Sequence, residues 1–313
     1  MPSAAGHMSL AIFKRKEIMA QTGSRTTTDE YLLKHPHLQF SESDRARLEE
    51  CSIRLFYLGS ELLDRARTQL PASLKDCLIL QFTNYDTPQA KAGGFAPHLN
   101  IISISMGLIH RIWIVSQALR IEEHTRLNIE RSMLILVLGH ELTHVMFGHN
   151  EIVDEGPMEE SAMEAHSDYF AGLYLARLIQ SREADATLEA TSAVVVILAT
   201  ALLFAELGGE RTATHHSAPV RFLVVLAGYL RWAMDYCPIA AMQMQFTLDT
   251  NNLKTLISDI VRDEVLTDKV YTCIEHAMSA HEDSSETIKA VETFRRKWHQ
   301  HSSLLAPIRD QLD

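Results

Sequence analysis

The segment from Met133 to His149 reads MLILVLGHELTHVMFGH and contains the pattern H-E-x-x-H at His140, Glu141 and His144. Its first six residues are all apolar, which predicts a helix that is buried on every side. Positions i and i+4 share one helical face, so both imidazoles can reach one metal ion, and Glu141 lies close enough to hold a water on that ion. Two histidines and a glutamate are costly to bury unless something pairs with them. The segment therefore predicts a buried helix that binds a metal.

A catalytic zinc ion takes three protein ligands and one water, so the motif needs a third ligand from elsewhere in the chain. Glu164 and Asp168 follow on the next predicted helix and are again separated by four residues. Glu164 is therefore the candidate third ligand, and Asp168 is the candidate acceptor of a hydrogen bond from a ligating imidazole. A metzincin pattern is disfavoured, because Phe147 and Asn150 occupy the positions where it needs glycine and histidine. Other candidates for the ligand role are Glu159, Glu160 and His166.

The hydrophobic pattern of the remaining chain predicts a mainly α (α+β) fold with a small β-sheet ahead of the motif helix. Strands are predicted at Cys77–Thr83 and His98–Ser105, and Gly93-Gly94 predicts a turn or a flexible loop between them. After the second strand the pattern is helical almost to the end of the chain. Helices are predicted over about 41–70, 106–120, 127–148, 158–181, 186–207, 218–236, 252–263, 268–280 and 284–301.

The domain organisation follows from composition along the chain. Residues 1–30 are polar without apolar periodicity and are expected to form a flexible N-terminal arm. Residues 31–313 contain no repeat and no low-complexity linker, so a single, mostly helical metallopeptidase domain is expected there. Its catalytic core is expected over about 95–225 and a C-terminal helical part over about 239–313.

Charge and cysteine content restrict the class of partner and the compartment. The formal net charge is −11 without a run of Lys or Arg, which argues against a nucleic-acid binder that neutralises phosphates. Four widely spaced cysteines indicate a reducing compartment and hence a cytoplasmic location. The longest apolar run, Ala193–Ala205, is shorter than the ~18–20 residues of a membrane-spanning helix. It predicts a buried helix, with peripheral membrane contact as the alternative.

The H-E-x-x-H motif, followed on a later helix by Glu164-Ala-His-Ser-Asp168, resembles the gluzincin arrangement of zinc metallopeptidases. His149 also resembles the HtpX and CAAX-prenyl-protease branch, although its integral-membrane helices are missing here. A closer resemblance is to the Lit family of phage-exclusion peptidases, over about residues 95–225. The shared features are a strand and helix before the motif, an Ala/Val/Leu-rich helix after the glutamate, and His216-Ser-Ala-Pro219-Val-Arg221, which is similar to a later His-Pro…Arg element.

The resemblance implies a zincin-like helical metalloprotease core with one Zn²⁺ per chain. It also implies that an edge strand ahead of the motif helix binds the substrate backbone, here at Asn100, Ile101, Ile102 and Ser103.

The motif residues suggest a mechanism in which Zn²⁺ held by His140, His144 and Glu164 activates a water, and Glu141 acts as general base. His216, or its neighbour His215, is the candidate donor to the oxyanion. Alternatively, these two histidines cap a helix or lie solvated on a loop. Arg221 is expected to orient that histidine, to pair with Asp168, or to form a surface ion pair.

The sequence thus predicts a zinc-dependent endopeptidase that hydrolyses a peptide bond in an intracellular protein. By the resemblance, its substrate would be a translation factor similar to elongation factor Tu, cleaved in phage exclusion. One alternative is a zinc amidase or deformylase-like hydrolase. Another is a non-catalytic helical interaction or sensor domain, which predicts that Glu164 points away from His140 and His144.

Overall fold

The computed structural model describes residues 23–69, 78–96, 99–149, 157–182, 186–207, 216–248 and 253–279. Within these ranges the fold is mainly helical with one small mixed sheet. The strands are β1 Gly23–Arg25, β2 Leu78–Thr83, β3 Ala90–Ala96 and β4 Leu99–Ser105. The helices are α1 Thr28–Lys34, α2 Glu42–Gln69, α3 Met106–Gln117, α4 Glu123–Met146, α5 Pro157–Arg182, α6 Ala186–Leu207, α7 Ala218–Tyr236, α8 Pro238–Leu248, α9 Leu253–Ile260 and α10 Glu264–Ser279. The helix predicted over 284–301 lies outside the described residues.

The chain divides into two compact units, Met1–Ile109 and His110–Asp313, where a single domain was expected. The first unit contains the sheet, with strand order β1-β2-β4-β3. Strand β2 pairs in parallel with both β1 and β4, whereas β3 is antiparallel to β4. The side chains of β2 alternate, and Leu78, Leu80 and Phe82 are buried on one face. This period of two is the signal that identifies the strand in the sequence.

The register of the sheet corrects the expected role of β4. Asn100, Ile101, Ile102 and Ser103 pair with β2 on one side and with β3 on the other. Because neighbouring strands take up the backbone groups on both sides of an interior strand, no free edge remains at these residues. The expectation that they bind substrate as an edge strand is therefore wrong, and the edge beside β4 is formed by β3.

Two further expectations in the first unit are wrong. Residues 23–30 were assigned to a flexible arm, but they form β1 and the start of α1. The Thr27 side chain accepts a hydrogen bond from the Glu30 backbone N–H, and the Glu30 carboxylate accepts one from Thr27, so a capping box orders this turn. Gly93-Gly94 lies within β3, because pairing with β4 keeps this stretch extended.

The second unit is built from helices that pack around α4 and α5. Helix α5 packs on α4 and on α7, and α6 packs on α4. The apolar run Ala193–Ala205 lies on α6, where most of its residues are buried, as its composition predicted. Helix α8 was not predicted from the sequence. None of the described helices has the length and hydropathy that crossing a membrane requires.

Helices α5 and α7 approach each other closely at two glycines. A Cβ atom at Gly172 would lie 1.9 Å from the carbonyl oxygen of Val225, and one at Gly228 would lie 1.9 Å from that of Tyr169. Only glycine permits such an approach, since any larger residue would collide with the backbone of the other helix. Position 168 is one turn before Gly172, so this approach brings its side chain within reach of α7.

Candidate metal centre

Helix α4 presents the two histidines of the H-E-x-x-H motif on one face. The Nε2 atoms of His140 and His144 are 3.1 Å apart, and their rings meet edge to face. The helix that carries them is buried along its apolar run, as the sequence predicts. Glu141, the expected general base, is also buried, with 7% of its surface exposed. The motif thus lies inside the second unit, where unpaired polar groups are costly.

Helix α5 brings Glu164 to both imidazoles. Its carboxylate oxygens lie 3.1 Å from His140 Nε2 and 3.5 Å from His144 Nε2. The three residues therefore form a group that could hold a metal ion. A tetrahedral ion about 2.0–2.1 Å from each ligand atom would separate those atoms by about 3.3 Å. The two Nε2 atoms, 3.1 Å apart, and the 3.1 Å between His140 Nε2 and Glu164 Oε2 are close to that value, whereas His144 Nε2 lies 3.5 Å from the other oxygen, Oε1.

Asp168 and Arg221 form a buried ion pair behind His140. Arg221 donates to both Asp168 oxygens through Nε and Nη2, each at 2.8 Å, and Asp168 lies 2.9 Å from His140 Nδ1. Of the alternatives open for Arg221, the structure shows pairing with Asp168. The pair is not on the surface, because Asp168 is only 3% exposed. Asp168 thus fixes the orientation of the imidazole while Arg221 fixes Asp168.

These contacts shift the pKa values of the groups involved. Burial opposes ionisation of Asp168, but the charge and hydrogen bonds of Arg221 outweigh it and lower the pKa of Asp168 to about 2. Burial also disfavours a charged His140, yet hydrogen bonds with Asp168 and Glu164 raise its pKa to about 10. A metal ion would have to displace that proton.

The local charge balance favours a divalent cation. Burial disfavours the charged guanidinium of Arg221, but Asp168, Glu164 and Glu141 outweigh that effect and raise its pKa. Arg221 therefore lies within electrostatic range of three carboxylates. With neutral imidazoles, three carboxylates and one guanidinium carry a formal charge of −2, which a divalent cation would balance.

His149 is a residue of the site to which sequence reasoning assigned no role. Helix α4 ends at the Phe147 cap, and Gly148 adopts φ +61°, a left-handed conformation that glycine tolerates well. The chain turns there and places His149 Nδ1 3.1 Å from His144 Nδ1. Burial, together with the neighbouring imidazoles of His166 and His144, lowers the pKa of His149, so its ring is neutral and can accept a hydrogen bond. The dipeptide Gly148-His149, just past the end of α4, is the sequence signal for this contact.

The remaining candidates are dispersed around this group. His216 Nε2 lies 3.0 Å from Ser161 Oγ, one helical turn before Glu164, whereas His215 lies outside the described residues. His166 is fully buried and contacts the rings of Phe147, His149 and Phe170. Glu160 is exposed, and the side chain of Glu159 is not described. Among the candidates whose side chains the structure describes, Glu164 joins the two motif histidines.

Comparison with family models, curated proteins and solved structures found no match for this chain. The class of site is therefore defined by its geometry alone: two imidazoles and a carboxylate that could hold a metal ion, with a buried glutamate beside them.

Proposed function

We propose that this chain is a zinc-dependent endopeptidase, a hydrolase that cleaves a peptide bond in an intracellular protein. The observation that carries the proposal is the approach of the Glu164 carboxylate to within 3.1 Å of His140 Nε2 and 3.5 Å of His144 Nε2, which lie 3.1 Å apart, with Glu141 next to the first ligand in the sequence. The non-catalytic alternative predicts that Glu164 points away from both histidines, and the distances of 3.1 and 3.5 Å count against it.

His140, His144 and Glu164 would hold the ion, leaving one coordination position for water or substrate. Zinc, when bound, lowers the pKa of a coordinated water towards about 7 and polarises the scissile carbonyl. Glu141 accepts the proton that the attacking water loses and returns it to the leaving amine, so no proton is gained or lost over the reaction.

Two acceptors hold the imidazoles in the tautomer that the reaction needs. The Nδ1–H of His140 donates to Asp168, so Nε2, on the side of Glu164, is the nitrogen that would bind the ion once its proton is displaced. In the same way, His144 Nδ1–H donates to the neutral His149 ring and leaves Nε2 for the ion. Such outer hydrogen bonds orient metal ligands and raise their basicity.

His216 is the proposed hydrogen-bond donor to the oxyanion that forms during hydrolysis. Its contact with Ser161, which shares a helical face with Glu164, supports that role. The resemblance to phage-exclusion peptidases extends the proposal to a substrate of the translation-factor class, similar to elongation factor Tu. A zinc amidase or deformylase would use the same residues on a smaller substrate.

Zinc content and cleavage test the proposal separately. Glu164→Ala should lose one equivalent of zinc per chain relative to the wild type. Glu160→Ala, which removes an exposed glutamate from the same helix, is the matched control and should keep the wild-type content. The measurement is the zinc content per chain of the purified proteins. An unchanged zinc content in Glu164→Ala would mean that the third ligand is another residue.

Glu141→Gln should keep the zinc content and the fold but reduce cleavage by about 10²–10⁴-fold, because the general base is lost. The readout is mass spectrometry of new protein N-termini in cells that express the wild type or the variant. Termini in a translation factor that depend on Glu141 would support the substrate class. Equal sets of termini in the two cultures would contradict endopeptidase activity.

A further inference from the structure

A second group of potential metal ligands lies in the first unit, at the end of α1. His35, His37 and Asp86 each offer a ligand atom, and the three atoms lie within 4.8 Å of one another. The sequence His35-Pro36-His37 places two imidazoles around a proline, whose fixed φ restricts the turn. The two histidine rings are 5.8 Å apart, edge to face.

The hydrogen bond of His35 determines which ring nitrogen can bind an ion. His35 Nε2 lies 2.7 Å from the carbonyl oxygen of Asn84. A carbonyl oxygen can only accept, so Nε2 must carry the proton and Nδ1 of the neutral ring keeps its lone pair. Donation of the other ring N–H to a backbone carbonyl is the arrangement that metal-ligating histidines typically show.

Contacts with Tyr31 and His37 hold the carboxylate of Asp86 in place. The hydroxyl of Tyr31, a fully buried residue, donates to Asp86 Oδ1, and Asp86 Oδ2 lies 3.2 Å from His37 Nε2. These two contacts fix the carboxylate with Oδ2 directed at His37.

We propose that His35, His37 and Asp86 form a second metal site that binds Zn²⁺. Two imidazoles and a carboxylate match the ligand preference of zinc. The His37 side chain is 62% exposed, so solvent can reach the site and supply the remaining ligand. The ion would link the end of α1 to the loop between β2 and β3, and its binding would stabilise the first unit. This proposal is independent of the peptidase proposal, because none of its residues belongs to the first metal group.

Equilibrium dialysis of the full-length protein against Zn²⁺ tests the second site. The wild type should bind two equivalents, and His37→Asn should bind one. Asparagine can still donate a hydrogen bond to Asp86 but is a poor zinc ligand, so the turn should persist. His124→Ala, which removes an exposed histidine that belongs to neither group, is the control and should bind two equivalents.

The two zinc proposals fail in different ways. If the wild type binds one equivalent that His37→Asn retains and Glu164→Ala loses, the second site is refuted and the peptidase centre stands. If His37→Asn loses the single equivalent, the second site stands and the peptidase centre fails. As a further readout, Zn²⁺ should raise the unfolding temperature of Glu164→Ala and leave that of Glu164→Ala/His37→Asn unchanged.

Discussion

Replacing Asp168 with asparagine removes one negative charge from the buried pair with Arg221 while keeping the shape of the side chain. Asp168 is 3% exposed and receives two hydrogen bonds of 2.8 Å from Arg221. Breaking a buried ion pair by removing one partner costs about 3–5 kcal/mol, and the lower end of that range applies here because the side chain of Arg221 is 19% exposed. The shift of the Asp168 pKa from 3.8 to about 2 gives a compatible figure of about 2–3 kcal/mol. We therefore expect Asp168→Asn to lower the free energy of unfolding by about 3 kcal/mol.

A double-mutant cycle with Arg221→Met tests whether the loss of unfolding free energy comes from the interaction between Asp168 and Arg221. Unfolding is followed in urea with a chelator present, so that metal binding does not add to the stability. The double variant should be more stable than the sum of the two single losses predicts, by about 1–3 kcal/mol. Additivity within about 0.5 kcal/mol would refute the reasoning, because it would mean that the two side chains do not stabilise each other.

The same variant also tests the proposed metal centre. Because Asp168 orients His140, Asp168→Asn should weaken zinc binding by about 10–100-fold, as measured by dialysis below the unfolding transition. An unchanged affinity in a folded variant would show that this hydrogen bond does not contribute to ligation.

The pH dependence of stability without metal follows from the two pKa shifts. The folded pKa of Asp168 is depressed, so its contribution is present above pH 3.8 and is lost as pH falls through about 2. The folded pKa of His140 is raised, so its contribution is present below pH 6.5 and is lost as pH rises through about 10. In urea unfolding at a series of pH values, Asp168→Asn should reduce the change of the free energy of unfolding with pH in both ranges. An unchanged pH dependence would contradict the assigned contacts.

Two further substitutions test the helix packing and the second imidazole acceptor. Gly172→Ala would place a methyl group 1.9 Å from the Val225 carbonyl oxygen, so α5 and α7 would have to separate by about 1.5 Å to reach ordinary contact. Alanine favours the helix by ~1 kcal/mol over glycine, but the collision should still lower the free energy of unfolding, measured in urea, by about 2 kcal/mol or more. Gly139→Ala, whose new atom would lie 3.1 Å from its nearest neighbour, should cost less, and equal costs would contradict the close approach. His149→Ala should weaken zinc binding by about 10–100-fold while His149→Gln, which can still accept from His144, retains it; wild-type affinity in His149→Ala would remove His149 from the site.

Local patterns in the sequence predicted much of the helical unit. Helices α6 and α7 begin and end where the apolar runs and the flanking glycine and proline residues indicate. The four-residue spacing of the motif predicted that His140 and His144 share a face, because this depends only on the helical period. The same argument predicted that Glu164 and Asp168 share a helical face. It could not choose Glu164 over the three other candidate ligands, because that choice depends on how α5 packs against α4.

The sheet shows where local patterns fail. Strand β3 contains Gly93-Gly94, which by itself indicates a turn, and it is extended because β4 pairs with it. Strand β4 has the composition of a strand, but whether it lies at an edge depends on its neighbours β2 and β3. Pairing is a non-local property, so the residues of a strand do not reveal its position in a sheet.

The sequence by itself determined the motif helix, the shared face of His140 and His144, the adjacent glutamate and the mainly helical class, because each depends on spacing along the chain. Tertiary structure decided which acid joins the histidines and which partners orient them. Asp168 meets Arg221 because Gly172 lets two helices approach, and His149 meets His144 because Gly148 reverses the chain. The pairing of Asp168 with Arg221 joins residues 53 positions apart, which no helical or strand period relates, so only the packed fold could reveal it.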